Sequence, residues 1–240
     1  MIRHLLRTLL LLIVSISGFA KPFTDGLYFG VNFNAGLVYD PGSYFPYAAL
    51  TTTSGIKAGY TIPGANVSVF TGLQYAHYKY SVDREYGGTQ IADFLEVPVG
   101  LRIVGGGASK VKMYFEPALS ICFLGNAEFQ GAYKDGAFKY APGDNKADCK
   151  QVILRPSLGW GFHFKASEHL AINLGWQMAT NISSLYKESL PRPASTHLSA
   201  VTMQLGFEYH LGSLYETVIP KSKYRSRSGS GSSDYYDVNW

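Results

Sequence analysis

From Tyr28 onward the chain alternates with a period of two. Between Tyr28 and Tyr39 the odd positions are Phe29, Val31, Phe33, Ala35, Leu37 and Tyr39, while Gly30, Asn32, Asn34 and Gly36 fall among the even ones. Segments Gly55–Ile62, Val67–Lys79 and Asp93–Val104 repeat the pattern, as do Val111–Phe123, Val152–Phe164, Leu170–Asn181 and Ala200–Leu211. One face carries residues such as Ile56, Leu73, Leu95, Val99, Ile121, Trp160, Leu174 and Phe207. The other carries Lys57, Gln74, Glu96, Arg102, Lys112, Glu116, Arg155, Asn173, Gln204, Glu208 and His210 among many glycines. A strand turns successive side chains to opposite faces, so this period predicts eight strands. A soluble sandwich also alternates, but its strands average about 5–6 residues. These are long enough for a tilted membrane crossing, which takes about 9–11 residues.

The predicted connections are 40–53, 63–66, 81–92, 105–110, 124–150, 165–169 and 183–196, long and short in turn. The short ones hold Pro63-Gly64, Gly105-Gly106-Gly107 and Ala166-Ser167, good turn chemistry. Short turns at one end and long loops at the other describe an outer-membrane barrel. The expected fold is therefore all-β, an eight-stranded antiparallel up-and-down transmembrane β-barrel over residues 21–211. The short turns and both termini are expected in the periplasm. Phe29, Tyr60, Phe162, Phe164 and Tyr209 fall near one interface and Tyr39, Tyr75, Phe123 and Trp176 near the other, as two aromatic girdles would.

Composition agrees. Charged residues are 16% of the chain, aromatic residues 15%, and there are 26 glycines. At 46% hydrophobic residues, disorder over most of the length is excluded. Arg3 and Arg7, the apolar run Leu9–Val14 and the small residues of Gly18-Phe19-Ala20 read as a secretory signal peptide over 1–20, cleaved after Ala20. The alternative is a single-pass anchor. Cleavage removes two of the 21 basic residues and none of the 17 acidic ones. The remaining bias is too weak to argue for nucleic acid.

The last strand, Gln204-Leu205-Gly206-Phe207-Glu208-Tyr209-His210-Leu211, resembles the signal read by the barrel assembly machinery, with Gln204, Gly206, Tyr209 and Leu211 at the recognised positions. Residues 212–240 follow, with Lys221, Lys223, Arg225 and Arg227 and then a Gly/Ser run. That composition predicts a flexible periplasmic tail, either frayed or a docking peptide for a periplasmic protein.

An eight-stranded barrel has an interior just wide enough for side chains. Parity points Lys57, Glu96, Arg102, Lys112, Glu116, Arg155, Glu208 and His210 inward, and buried charges must pair. A plug of ion pairs is expected; a proton or ligand path is the alternative. Cys122 and Cys149 are both expected to face inward across one hairpin, in an exported chain where a disulfide can form. A register opposing them also opposes Glu116 and Arg155, and both pairings are expected. Pro98, Pro117 and Pro156 fall inside strands and predict bulges there, since a closed barrel offers no edge.

Asp93-Phe94-Leu95-Glu96-Val97-Pro98-Val99-Gly100-Leu101-Arg102, followed by Tyr114-Phe115-Glu116-Pro117-Ala118-Leu119-Ser120, resembles the core of the PorT-like outer-membrane barrel family of Bacteroidetes. Val97 stands where that family commonly has Ile. The resemblance implies a barrel of this layout. A member of the family works in type IX protein secretion, which makes an accessory role in a secretion apparatus the first alternative function. A lipid A-modifying enzyme is the second. His197 and Ser199 lie on one expected lipid-facing side near the outer rim, yet Glu208 points inward and Ala200 stands where an Asn follows the Ser in such enzymes. Asn66-Val67-Ser68 matches a glycosylation pattern and is read as a strand start. The expected protein is thus a non-enzymatic barrel without metal or cofactor. Its loops serve surface interaction, and its partners are outer-membrane lipid, the assembly machinery and a possible periplasmic protein.

Overall fold

The computed structural model describes residues 26–39, 49–63, 65–81, 89–105, 110–130, 143–187 and 197–211. The signal segment 1–20, the tail 212–240 and much of the long connections lie outside the described residues. The strands are β1 (Gly26–Tyr39), β2 (Ala49–Thr61), β3 (Val67–Ser81), β4 (Thr89–Gly105), β5 (Val111–Gln130), β6 (Gly143–Asp144), β7 (Val152–Lys165), β8 (Leu170–Thr180) and β9 (Ser199–His210). Eight of them form a ring in the order β1-β2-β3-β4-β5-β7-β8-β9, each antiparallel to its neighbours. β9 pairs back onto β1 over Tyr28↔His210 to Tyr39↔Ser199, so the sheet has no edge. The two-residue β6 adds only to the end of β5. The strand ends at Thr61 and Val67, Gly105 and Val111, and Lys165 and Leu170 gather at one end, the turn end, where β1 begins and β9 stops. The other end is the loop end.

The alternation predicted from sequence is the inside–outside pattern of this ring. Phe29, Val31, Phe33, Leu73, Leu95, Leu119, Phe162, Leu174 and Met203 are exposed on the outer wall, while Asn32, Gln74, Asn173, Gln204 and the lumen charges are buried. An apolar exterior around a polar interior is the arrangement lipid selects, and ring closure lets the strands bond one another rather than water. Aromatic residues meet directly across strands: Phe29 opposes Tyr209 near the turn end, and Trp160 opposes Trp176.

Two strands run further than their hydrophobic pattern indicates. β2 begins at Ala49, because Thr51 and Thr53 fill inward positions with hydroxyls and hide the period. β5 runs 20 residues, to Gln130. Its pairing with β4 shifts between Asp93↔Asn126 and Phe94↔Leu124, leaving Gly125 as the extra residue of a bulge. Inward parity changes there, from Cys122 and Leu124 to Ala127 and Phe129. A period-two reading therefore stops at the bulge.

The prolines do not make bulges. At Pro98 the β3–β4 ladder skips from Thr71↔Val99 to Gln74↔Glu96 in unchanged register, and the Thr71 hydroxyl donates to the Pro98 carbonyl at 2.9 Å. Pro117 leaves a similar gap toward β4, between Gly100↔Ala118 and Ile103↔Phe115. The β7–β8 ladder starts at Ser157, beside Pro156. Each missing N–H is absorbed by a local gap on one side, while the ladder on the other side stays whole.

The disulfide and its register are corrected. Cys122 opposes Ile153, Glu116 opposes Gly159 and Arg155 opposes Ser120, four residues away from the register that would join Cys122 to Cys149. Residues 143–151 do not climb as the arm of a hairpin. They fold inward over the loop end: β6 pairs with β5, a 3-10 turn follows at Lys146–Asp148, and Cys149 bridges to Tyr186. Both cysteines are free and buried in one apolar cluster with Phe94, Leu124, Leu185 and Leu198. Burial pushes the Cys149 thiol up to about 12, and the thiolate is the reactive form. At neutral pH the folded barrel should take up no maleimide, and the unreduced, unfolded protein should take up two. Fewer adducts in that unreduced sample would restore the disulfide.

Candidate functional site

The lumen is the candidate site, and its side chains fall into two charged groups. The first lies toward the turn end. Lys57 on β2 donates to both oxygens of Glu116 on β5 at 3.1 Å. Arg102 on β4 bonds Glu116 through Nε and forks onto Glu208 on β9, with Nη2 donating to Oε1 at 2.6 Å. The Arg102 guanidinium also lies 5.4 Å from the ring centroids of Tyr28 and Tyr114, and Lys57 stands 4.5 Å over Phe70. Two cations and two carboxylates cancel, and all four are buried. The low-dielectric interior makes such pairing obligatory.

The second group lies toward the loop end. Arg155 on β7 bonds Glu96 on β4 and the Tyr78 hydroxyl on β3, and its Nε donates to Asn181 Oδ1 at 2.7 Å. The expected Glu116–Arg155 pair does not form; each residue finds another partner across the lumen. Several of these bonds, such as Lys57–Glu116, Arg102–Glu208 and Arg155–Glu96, run between strands that are not neighbours, which strand parity cannot resolve. Lys112 is buried nearer the turn end, opposite His163. Of the assembly-signal residues, Gln204 and Gly206 point inward and Tyr209 and Leu211 outward.

Above the second group sits a cap that sequence reasoning missed. Gln90 on β4 and Asn145 exchange two amide hydrogen bonds, at 3.0 and 2.7 Å, and the Tyr186 hydroxyl donates to Gln90 Oε1 at 2.9 Å. The backbone amides of Lys150 and Lys187 donate to Leu185 and Asp148 carbonyls at 2.8 and 3.0 Å, tying segment 143–151 to segment 181–187. Gln90, Asn145 and Tyr186 are ordinary loop residues by composition; no local pattern marks them.

His163, Glu208 and His210 each offer a ligand atom within 4.8 Å of one another, all buried. Both Glu208 oxygens already accept from Arg102. Arg102 and Lys112 put further positive charge around the group, so the arrangement suits a carboxylate cradle better than a cation site. Near the loop end, the Ser199 hydroxyl pairs with that of Thr180 at 2.9 Å, and His197 Nδ1 meets the Asn181 carbonyl at 3.4 Å. The two side chains proposed for lipid chemistry are thus engaged with different partners, and Ser199 is buried.

No protein-family profile and no curated protein matches the chain. Among solved structures, it is similar to Neisserial surface protein A, at 12% identity over 78% of this chain and 97% of that one, with a TM-score of 0.48. A major outer membrane protein from Thermus thermophilus gives 10% identity over 76% and 98%, with a TM-score of 0.46. Ail, the attachment invasion locus protein of Yersinia pestis, gives 12% identity over 77% and 99%, with a TM-score of 0.42. On its own geometry, a closed ring of eight antiparallel strands with an apolar wall and a polar interior, the protein is an outer-membrane β-barrel.

Proposed function

We propose that this barrel is non-enzymatic and closed to ions, and that it serves as a membrane-held frame for its long connections. One observation carries the reading: Arg102, held by Glu116 and Glu208 with Lys57 behind, draws β2, β4, β5 and β9 together on charges that cancel. The Arg155–Glu96 pair and the Gln90–Asn145–Tyr186 cap add two further barriers above it. On this reading the short turns lie on the periplasmic side, as in such barrels, together with the start of β1 and the end of β9. In planar lipid bilayers the purified protein should produce no discrete conductance steps. Steady single-channel steps from the intact protein would sink the reading.

The PorT-like strand pair at Asp93–Arg102 and Tyr114–Ser120 supports a finer version, an accessory of a type IX-like secretion apparatus acting through the tail. On that version, deleting residues 212–240 releases a co-purifying periplasmic protein. An unchanged set of partners counts against it.

A further inference from the structure

The outer wall is not evenly filled. Over β1 and β2 its outward positions include Ala35, Thr52, Ser54 and Ala58, with Thr71 beside them on β3. Elsewhere the wall carries large residues such as Leu95, Phe123, Trp160 and Trp176. Two grooves result, one above the other on the same strands. The first, of about 650 Å³, lies toward the turn end, where Phe29, Leu73, Phe207 and Tyr209 stand around Ala58 and Thr71. The second, of about 490 Å³, lies toward the loop end, where Phe33, Tyr75, Met203 and Leu205 stand around Ala35, Thr52 and Ser54.

Between the grooves the wall is raised and apolar. Val31 opposes Ile56 there, and Ile56 is 60% exposed. The outer margins differ. Tyr209 lines the turn-end margin of the first groove, and Tyr60 is the next outward residue on β2 beyond Ala58. Aromatic rings with a polar tip settle at the headgroup level of a membrane. At the loop-end margin of the second groove, Thr52 opposes His77. Each groove therefore runs from a polar margin near the edge of the wall to an apolar end at its middle. That is the polarity of a membrane lipid, and the two grooves point in opposite directions, as the two leaflets do. A transmembrane helix or the flank of a second copy would need one continuous channel, which Ile56 interrupts.

We propose that each groove holds one acyl chain, from a lipid of its own leaflet, and that the two chains meet end to end at Ile56. A chain on a flat wall touches protein on one side only. In a groove it touches protein on several, and the added dispersion contacts are individually small but numerous. Recognition is of the chain and not of the headgroup. The charged residues beside the first groove, Lys57 and Glu208, are buried in the lumen, and the second has none on its lining.

The test is native mass spectrometry of the full-length folded protein, reconstituted with one synthetic phosphatidylglycerol and stripped by rising collision energy. Lipid should stay bound after the rest of the shell has left. Ala58→Leu fills the first groove and Ser54→Leu the second; each should lower the retained number by one molecule, and the double variant by two. Ile121→Phe, on another part of the wall, should lower it by none. Where a leucine variant gives no heat-shifted band on a gel, Ala58→Val or Ser54→Val takes its place. Phosphatidylcholine with the same chains should give the same numbers. Retention that survives both filling changes, or that follows the headgroup, overturns the proposal. So does a doubled protein mass that Ala58→Leu abolishes, which would make the strip an interface between two copies.

Discussion

Replacing Arg102 with Met should destabilise the folded barrel by about 3–5 kcal/mol, read from the midpoint of urea unfolding in detergent. The side chain serves two carboxylates at once. Without it Glu116 keeps Lys57, whose Nζ lies 3.1 Å from both oxygens. Glu208 keeps only the imidazoles of His210 and His163, at 3.7 and 3.9 Å. A buried carboxylate so left carries the full cost of desolvation, and that cost, rather than the worth of the original pair, sets the size of the effect. Arg102→Met combined with Glu208→Gln should therefore cost less than the sum of the two single changes. Simple additivity would show that the fork seen here does not couple the two residues.

Gly59→Val should prevent the barrel from folding, with no heat-shifted band on a gel, and Gly59→Ala should cost about 1–3 kcal/mol. Tyr28 opposes Gly59 in the β1–β2 ladder, and its ring lies across the glycine where a Cβ would stand. The ring cannot withdraw. Arg102 lies over it, and His210 stacks on it with centroids 5.2 Å apart at 27°. Phe70 lies in the same way across Gly100, with Cζ 2.7 Å from the Cβ position. These are aromatic side chains laid over strand glycines, a device that closes a tightly curved sheet. Tyr28→Leu should restore part of what Gly59→Ala loses. Equal stability of Gly59→Ala and the native protein would refute the contact.

Both predictions rest on residues whose direction was legible in the chain and whose partners were not. Parity alone places Lys57, Glu96, Arg102, Lys112, Glu116, Arg155 and Glu208 inside, and all seven are buried. Pairing is another matter. A lumen bond such as Arg102–Glu208 spans the barrel between residues 106 positions apart in sequence, so no local rule finds it. The Glu116–Arg155 expectation fails because it assumed that the chain before β7 runs straight into the strand, with Cys149 opposite Cys122. Segment 143–151 instead turns inward to cover apolar Phe94, Leu124 and Ile153.

The sequence by itself determined the strand number, the face most strand side chains take, the alternation of short and long connections, and hence a barrel with an apolar wall. These follow from the pleat, whose period of two acts within a few residues. Tertiary structure alone decided which charges meet, that the cysteines stay apart, where proline is absorbed, and that two loops close the mouth. Those outcomes depend on ring closure, which sets distances between residues far apart in the chain. They depend too on one extra residue, Gly125, which reverses parity and which no count of hydrophobic positions registers.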